Sequence, residues 1–436
     1  MSFAYRVSHI AYRVSRIAIR GNPCYNTPMR ICSLGLENFR NYARLEQSVP
    51  EGAVLICGAN AQGKTSLLEA LYYLATAHSP LTSSDHQLLN WTAKQEGISY
   101  ARLQAEVMRG GRIHELSIAL ALEADARGRS QLKKAIRIDR QKRKRQDMAG
   151  ELTVVLFLPQ DLELVAGPPA GRRRYLDDTL CQVDAAYCAA LEVYNNTLRQ
   201  RNALLRHLAE NGGDVTQLEP LDERLAESGV QVSQGRRALV AALAKYATRA
   251  HVELSGGHEW LQLVYQPHFD PAQPPGLAYQ PLLGLELPSR PPDGVSSADL
   301  VAAFREELLR RRRAEIERGM TLTGPHRDEM RFLVGQMDLG TYGSRGQQRT
   351  AVLALKMAQL AWMRQVTGDT PVLLLDEVMA ELDRRRRACL LAQVDGVEQA
   401  LLTATDPEMF EADFRRRSTL LWVEGGVIRP HQEGGA

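Results

Sequence analysis

A glycine-rich turn between an apolar run and a helix-like segment carries the first candidate chemistry. The turn reads GANAQGKT over residues 58–65 and follows the apolar residues 54–57. This order of strand, loop and helix is that of a P-loop, in which backbone N–H groups surround phosphate oxygens. Lys64 is expected to reach the terminal phosphates, and the Thr65 hydroxyl is expected to bind Mg²⁺. The predicted nucleotide-binding residues are Gly58, Ala59, Asn60, Ala61, Gln62, Gly63, Lys64, Thr65 and Ser66.

A second candidate element, PVLLLDE over residues 371–377, reads as a buried parallel strand that ends in two carboxylates. Asp376 is expected to hold Mg²⁺, directly or through water. Glu377 would face the attacking water as a general base, because that role needs an acceptor close to the γ-phosphate. Acidic residues after an apolar strand are common, so the upstream P-loop is what makes this strand its expected partner.

A serine- and glycine-rich turn, YGSRGQQR from residue 342, precedes a third candidate element, a helix with an apolar stripe. The turn places Ser344 and free backbone N–H groups at the N-terminus of the helix, where they would form a second anion site. A capped helix packed on the core is the alternative interpretation. The residues alone do not separate the two.

The order of these three elements resembles the nucleotide-binding head of ABC-type ATPases. Four further stretches narrow the resemblance to the RecF family, which is related to the SMC head proteins. They are ENFRNY from residue 37, FLPQDLELVAGPPAGRRRYLD from residue 157, LTGPHRDEM from residue 322 and LLLDEVMAELDRR from residue 373. The resemblance runs from about residue 29 to the C-terminus and is weakest over residues 205–300.

The resemblance implies roles for single residues. In ABC-type heads the signature serine, here Ser344, completes the ATP site of the other subunit, and Asp383 resembles the D-loop that crosses the same interface. Arg40 is implied to lie beside the nucleotide, although an arginine at a sheet edge is an equal alternative. Gln160, where RecF proteins usually have an acid, is the candidate Q-loop contact to Mg²⁺ or water. Glu377 stands where many members have Asp, and the threonine-rich ALLTATD segment replaces a transporter-type histidine, so slow hydrolysis used as a timer is expected.

The same resemblance implies an ATP-dependent DNA-binding protein of recombinational repair, replication and the SOS response to DNA damage. Two copies would dimerise around ATP and Mg²⁺, bind double-stranded and gapped single-stranded DNA, and release it on weak, DNA-dependent hydrolysis. The partners RecR, RecO and RecA, and a cytoplasmic, nucleoid-associated location, are implied in the same way. Two alternatives stay open: a non-hydrolysing, nucleotide-dependent DNA scaffold, and a transporter-type ABC ATPase subunit, which normally holds its motifs closer than the 312 residues between Lys64 and Asp376.

This separation also predicts the architecture. The expected fold class is α/β, with an ABC-type ATPase head (a P-loop NTPase with a mixed sheet and helices) and a mainly helical second lobe inserted in the middle of the chain. Residues 29–155 and 320–436 should form ATPase lobe I, and residues 156–319 helical lobe II. Strands are predicted near residues 30–38, 54–57, 101–108, 113–122, 152–157, 372–375 and 400–403, helices over 172–206 and 298–318, and a loop over 266–294.

Composition excludes several other classes. The chain has 436 residues, 54 Lys and Arg against 51 Asp and Glu, 44% hydrophobic residues and no apolar run of bilayer length, so neither membrane insertion nor extended disorder is expected. The six cysteines show neither a zinc pattern nor a disulfide framework. Residues 1–28 contain four arginines and no acid and repeat AYRVSHI as AYRVSRI. We interpret them as an upstream extension, expected to be disordered, with an Arg-rich targeting peptide as the alternative.

A basic hairpin is the main candidate for DNA binding. Residues 127–145 carry ten basic residues and one acid, and the candidate phosphate contacts within them are Lys142, Arg143, Lys144 and Arg145. Binding of this kind would weaken steeply with salt, because each neutralised phosphate releases counterions. A solvated basic sheet edge is the equal alternative. Aromatic residues make up only 6% of the chain, which favours recognition of the DNA backbone and shape over base stacking.

Overall fold

The computed structural model describes residues 29–124, 130–270 and 296–430. The predicted N-terminal extension, residues 1–28, lies outside the described residues, as do residues 127–129 of the basic hairpin and most of the loop predicted over 266–294. Within the described part of the chain, no helix is both long and apolar enough to cross a bilayer.

One six-stranded sheet is mostly parallel. Its strands in spatial order are β15 (Val427–Pro430), β14 (Thr419–Glu424), β3 (Gly52–Cys57), β13 (Gln399–Ala404), β12 (Val372–Asp376) and β8 (Val154–Phe157). β3, β13 and β12 run parallel, and the register pairs Asp376 with Thr403 and Cys57 with Ala404. The end of β3 that leads into the P-loop and the end of β12 that carries Asp376 therefore meet at one edge of the sheet.

A second six-stranded sheet is antiparallel. Its order is β2 (Tyr42–Ser48), β1 (Arg30–Phe39), β4 (Tyr100–Arg109), β5 (Arg112–Ala124), β6 (Ser130–Ile138) and β7 (Gln141–Arg143). Buried and exposed residues alternate along β4, as expected when one face is covered and the other is solvated. Helix α1 (Lys64–Thr76) lies between the two sheets and packs against strands of both, which explains why ten of its thirteen residues are buried.

The remaining helices and a small antiparallel sheet complete the described fold, and α9 and α11 pack on strands of the parallel sheet. The helices are α2 (Trp91–Gln95), α3 (Glu163–Ala166), α4 (Pro169–Cys181), α5 (Ala185–Asn211), α6 (Glu219–Ser255), α7 (Ser297–Arg318), α8 (Leu339–Tyr342), α9 (Arg345–Thr367), α10 (Arg384–Asp395) and α11 (Ala412–Arg417), and the small sheet has the order β11 (Met337–Asp338), β10 (Glu329–Val334), β9 (Leu261–Gln266). The long helix α6 packs on α5, α9 and β9. The helix that begins after Ser344 is thereby tied to the middle of the chain.

The structure confirms all seven predicted strands, with small shifts at their ends, and the helix over residues 298–318. The helix predicted over residues 172–206 is instead two helices, because α4 ends at Cys181 and Asp184 caps α5 by accepting a hydrogen bond from the Tyr187 N–H at 2.9 Å. β2, β9, β10, β11, β14 and β15 were not predicted. β9, from the predicted helical lobe, pairs with β10, from the predicted ATPase lobe. The division of the chain into these two lobes stays a prediction.

Candidate nucleotide site

Two glycines let the P-loop pass close to its neighbours. Gly58 and Gly63 have φ values of 153° and 118°, in the region that L side chains rarely adopt. A Cβ atom on Gly58 would lie 2.3 Å from the carbonyl oxygen of Val423, and one on Gly63 would lie 2.5 Å from the Asn41 side chain and 2.8 Å from the Tyr42 hydroxyl. Glycine at both positions is therefore a requirement of packing as well as of backbone conformation.

Lys64 is the first residue of α1, and its ammonium group is folded back into the loop. Its Nζ donates to the carbonyl oxygens of Gly58 at 2.8 Å and Ala59 at 3.0 Å, and it lies 3.0 Å from Oε1 of Glu377. The side chain is only 4% exposed. Three acceptors thus match the three ammonium protons. Two of them are neutral carbonyl oxygens, which phosphate oxygens could replace because they carry more negative charge.

Asp376 collects two hydroxyl groups from neighbouring elements. Thr65 Oγ1 donates to its carboxylate, with 2.9 and 3.0 Å to the two oxygens, and Thr403 Oγ1 donates to Oδ1 at 2.7 Å. Burial raises the pKa of Asp376, and the two hydroxyl hydrogen bonds oppose that rise. A buried carboxylate beside a hydroxyl at the P-loop is the hard oxygen environment that Mg²⁺ prefers.

The donor set around Asp376 fits Mg²⁺ only together with a phosphorylated substrate. Among the described residues, no group of three or more His, Cys, Asp or Glu side chains could hold a metal on its own. Mg²⁺ is commonly bound by one or two protein oxygens together with substrate phosphates and water. Thr65 and Asp376 would supply that protein share. Gln160, the other predicted metal contact, is exposed in the turn after β8 and forms no hydrogen bond with either residue.

Glu377 follows β12 directly and has a left-handed backbone with φ of 50°. Its N–H donates to Thr403 Oγ1 at 3.0 Å, so the threonine that orients Asp376 also fixes the backbone of Glu377. The side chain is 34% exposed and points toward Lys64. A non-glycine residue held in this conformation beside a P-loop lysine is a strained position of the kind that clusters at functional sites.

The turn between β1 and β2 braces the P-loop, a contact that the sequence motifs did not predict. Asn41 donates from its side-chain amide to the Gln62 carbonyl at 2.9 Å, and Tyr42 donates from its hydroxyl to the Gly63 carbonyl at 3.0 Å. Gln62 also accepts hydrogen bonds from the N–H groups of the turn that joins β14 to β15. The ENFRNY motif therefore reaches the loop through its last two residues.

Arg40 of the same motif points to a different partner. Its Nε and Nη2 atoms each lie 2.7 Å from an oxygen of Glu69 on α1, and Nη1 donates to the Gln87 carbonyl at 3.1 Å. Glu69 is 1% exposed and also accepts a hydrogen bond from Ser79. The proximity of Arg40 to a nucleotide stays a prediction, whereas its bidentate pair with a buried carboxylate is a feature of the structure.

Ser344 and Asp383 each cap a helix, and among the described residues neither forms a hydrogen bond with the P-loop of its own chain. The Ser344 hydroxyl accepts from the Gln347 N–H at 3.2 Å, and Asp383 accepts from the Arg386 N–H at 2.9 Å. Both caps are exposed, and within the described residues neither forms a hydrogen bond with Lys64. The structure thus brings the predicted P-loop and β12 residues together in one site and leaves these two outside it.

The basic hairpin lies at the end of the antiparallel sheet. Lys142, Arg143 and Lys144 are exposed in β7 and just after it, whereas Arg145 turns inward and donates to the Thr76 carbonyl at 2.8 Å and to Asp178 at 3.0 Å. Next to β7, the outer face of the sheet has a cavity of about 410 Å³, lined by Arg102, Gln104, Glu115, Ser117, Arg137 and Arg140. The register places Arg137 opposite both Ser117 and Lys142, so the cavity, in which Glu115 is ion-paired with Arg140, adjoins the exposed basic residues of the hairpin.

A P-loop, a serine-capped helix and an acidic strand end, in this order along the chain and joined by a mostly parallel sheet, define the head of an ABC-type ATPase. A sequence model described as the RecF/RecN/SMC N-terminal domain matches residues 30–427. The chain belongs to the RecF family. It is 40% identical to the DNA replication and repair protein RecF of Herpetosiphon aurantiacus, over 92% of this chain and 100% of that protein, and 41% identical to the RecF of Chloroflexus aurantiacus, over 92% and 99%.

A solved structure gives the same result for the fold. The recombination mediator protein RecF with ATP, of the RecFOR pathway, superposes with a TM-score of 0.78 at 27% identity and covers 94% of this chain and 100% of that one. The predicted fold class is thereby confirmed. These matches favour the RecF interpretation over the alternative of a transporter-type ATPase subunit.

Proposed function

We propose that this protein is an ATP-dependent DNA-binding protein of replication and recombinational repair, which dimerises around ATP and Mg²⁺. The names of its relatives, and the binding of ATP by the solved RecF, support the proposal. The observation that carries it is the joining of Thr65, Asp376 and Thr403 by hydroxyl hydrogen bonds directly beside Lys64. This arrangement offers a cation for terminal phosphates and hard oxygens for Mg²⁺ at one point.

The chemistry assigned to each residue follows from its position. Bound Mg²⁺ would supply Lewis-acid neutralisation of phosphate charge, and Thr65 and Asp376 would hold it. The Lys64 ammonium would exchange its carbonyl partners for phosphate oxygens, which bind a cation more strongly than neutral carbonyls do. Glu377 would then be released from Lys64 and would take a proton from the attacking water. A weak hydrolysis of this kind would act as a timer.

The second half of the nucleotide site would come from a second copy of the chain. Ser344 is exposed at the N-terminus of α9, where free N–H groups and the helix dipole favour an anion, and Asp383 is exposed at the N-terminus of α10, in the segment that resembles the D-loop. Each would face the nucleotide of the other protomer, which fits the lack of a hydrogen bond between either residue and Lys64 of the same chain among the described residues. A two-fold dimer of this type would contain two such composite sites.

DNA would bind to the cationic outer face of the antiparallel sheet. Lys142, Arg143 and Lys144 line its edge, and Arg102 and Arg137 face the adjoining cavity without an ion-pair partner in the described residues. Arginines on a rigid sheet can contact the phosphates of duplex and single-stranded DNA alike. RecR, RecO and RecA are proposed partners by family membership alone, and a cytoplasmic, nucleoid-associated location is proposed on the same ground.

The test measures dimerisation by sedimentation and binding to gapped duplex DNA, each with and without ATP and Mg²⁺. The wild type should dimerise and bind DNA only with ATP, and Lys64→Arg and Ser344→Arg should do neither. Ser296→Arg is the matched control, because Ser296 also caps a helix through a capping box but lies far along the chain from these motifs. ATP-independent, equal DNA binding by all four proteins, as monomers, would refute the proposal.

The DNA surface is tested separately through salt dependence. Alanine at Lys142, Arg143 and Lys144 together should reduce the slope of log K against log salt by about 0.9 for each phosphate that is no longer neutralised. ATP-dependent dimerisation should not change. Lys245→Ala is the control, because Lys245 is exposed on α6, outside the antiparallel sheet. An unchanged slope in the triple variant would remove this surface from the proposal.

A further inference from the structure

We propose that Glu259 is a positioning residue for the signature turn, residues 342–344, which ends at Ser344. It holds Ser344 in the orientation that the nucleotide of a second copy of this chain requires. The proposal rests on the proposed ATP-dependent dimer and adds to it a residue outside every motif found in the sequence. Glu259 lies in the short connection between α6 and β9, in the stretch where the family resemblance is weakest.

A relay of hydrogen bonds joins the two residues through Gln347. The Gln347 side chain donates from Nε2 to Glu259 Oε1 at 2.7 Å and accepts at Oε1 from the Ser344 N–H at 3.0 Å. The Gln347 backbone N–H donates to Ser344 Oγ at 3.2 Å. Both ends of the Gln347 amide are therefore in use, and a flip of that amide would break two hydrogen bonds. The Ser344 hydroxyl accepts from the Gln347 N–H, so its own proton can be donated to an acceptor outside the chain.

Glu259 is itself fixed to the end of α6. Its carbonyl oxygen accepts from the His251 ring at 3.2 Å and from the Ser255 hydroxyl at 3.3 Å, and its N–H donates to the same hydroxyl at 3.4 Å. β9 starts two residues later and is paired along its length with β10. The carboxylate thus projects from a turn that is held on both sides, which is what a positioning group needs.

The C-terminal end of α6 also contacts α10, the helix that is capped by the D-loop residue Asp383. Arg385 on α10 donates from Nε and Nη2 to the Glu253 carbonyl at 3.1 and 2.8 Å, in the last turn of α6. A Cβ atom on Gly256 would lie 2.7 Å from Nη1 of Arg385, so this arginine side chain packs directly over Gly256. The C-terminal end of α6 and the connection after it therefore contact both elements, α9 and α10, whose caps would face the second protomer.

The test compares Glu259→Ala and Glu259→Gln in ATP-dependent dimerisation and, at low protein concentration, in ATP binding by the monomer. Glu259→Ala should weaken the ATP-bound dimer about tenfold, the loss expected for one charge-assisted hydrogen bond, and should leave monomer ATP affinity unchanged. Glu259→Gln should recover most of the loss, because its amide oxygen can still accept from Gln347. Glu227→Ala, which removes an exposed carboxylate from α6, is the control and should match the wild type.

Each outcome separates this inference from the proposed function. A wild type that does not dimerise with ATP refutes the proposed function. A wild type that dimerises, together with a Glu259→Ala variant that dimerises equally well, overturns the role of Glu259 alone. An equal loss of monomer ATP affinity, or a failure of Glu259→Gln to recover dimerisation, would also overturn it, because either result would indicate a general structural role.

Discussion

Removal of the Arg40 side chain should lower the free energy of unfolding, because the buried carboxylate of Glu69 would lose its ion-pair partner. This carboxylate is 1% exposed and is neutralised by two hydrogen bonds of 2.7 Å from Arg40, whose own side chain is 24% exposed. Loss of the guanidinium leaves a buried charge with only the Ser79 hydroxyl as a remaining side-chain partner among the described residues. The stabilisation at stake is therefore that of a mostly buried ion pair.

Breaking such a pair from one side costs about 3 to 5 kcal/mol. Because Arg40 is partly exposed and Ser79 stays in place, Arg40→Ala should lower the free energy of unfolding by the smaller value, about 3 kcal/mol. Glu69→Ala removes the buried charge itself. The double variant Arg40→Ala/Glu69→Ala should then be more stable, by about 2 kcal/mol, than the sum of the two single losses predicts.

Urea unfolding of the four proteins measures this coupling. Arg44→Ala is the control, because Arg44 is an exposed arginine on the neighbouring strand, and its loss should stay within about 0.5 kcal/mol. The reasoning fails if Arg40→Ala costs less than about 1 kcal/mol and shows no coupling to Glu69. A large fall in ATP affinity without a fall in stability would instead favour direct contact of Arg40 with the nucleotide.

Three further predictions concern the P-loop, the general base and a half-buried histidine. Gly63→Ala should cost at least about 1 kcal/mol more in unfolding free energy than Gly52→Ala, because both have positive φ but only Gly63 is crowded; equal losses would contradict the crowding argument. Glu377→Gln should reduce single-turnover ATP hydrolysis by a factor of about 10² to 10⁴ while dimerisation with ATP persists, and an unchanged rate would favour a non-hydrolysing scaffold. Burial lowers the pKa of His326 to about 4, so the unfolded chain binds more protons below its own pKa of about 6.5. Stability should therefore fall by about 2 kcal/mol from about pH 7.5 to about pH 5 in urea unfolding, and His326→Gln should lack this part of the slope.

The nucleotide site could be predicted from the sequence because its parts are local. A strand, a glycine-rich loop and a helix lie next to one another in the chain, and the register of β3, β13 and β12 then brings Asp376 to Thr65. The contacts of Asn41 and Tyr42 with the P-loop could not be predicted, because they depend on how the antiparallel sheet sits on α1. No local pattern marks that arrangement.

The bounds of the long helix α6 were not predicted, and two glycines within it weaken the helical signal of the sequence. Gly229 and Gly235 lower helix propensity, yet a Cβ atom at Gly229 would lie 2.7 Å from Phe304, and one at Gly235 would lie 2.6 Å from Tyr187. The glycines are thus places where other side chains approach the helix closely. Tertiary packing outweighs propensity here, and no sequence pattern indicates that packing or the contact that Glu259 makes in the connection after this helix.

The central claim is that each nucleotide site is built from two copies of the chain. ATP turnover by an equal mixture of Lys64→Ala and Ser344→Arg tests it most directly, because each variant alone lacks one half of every site. A mixed dimer would contain one complete site, with Lys64 from one protomer and Ser344 from the other. The mixture should therefore recover up to about a quarter of wild-type turnover, since half of the dimers are mixed and each has one of two sites intact. Turnover no greater than the average of the two variants measured alone would contradict the shared site.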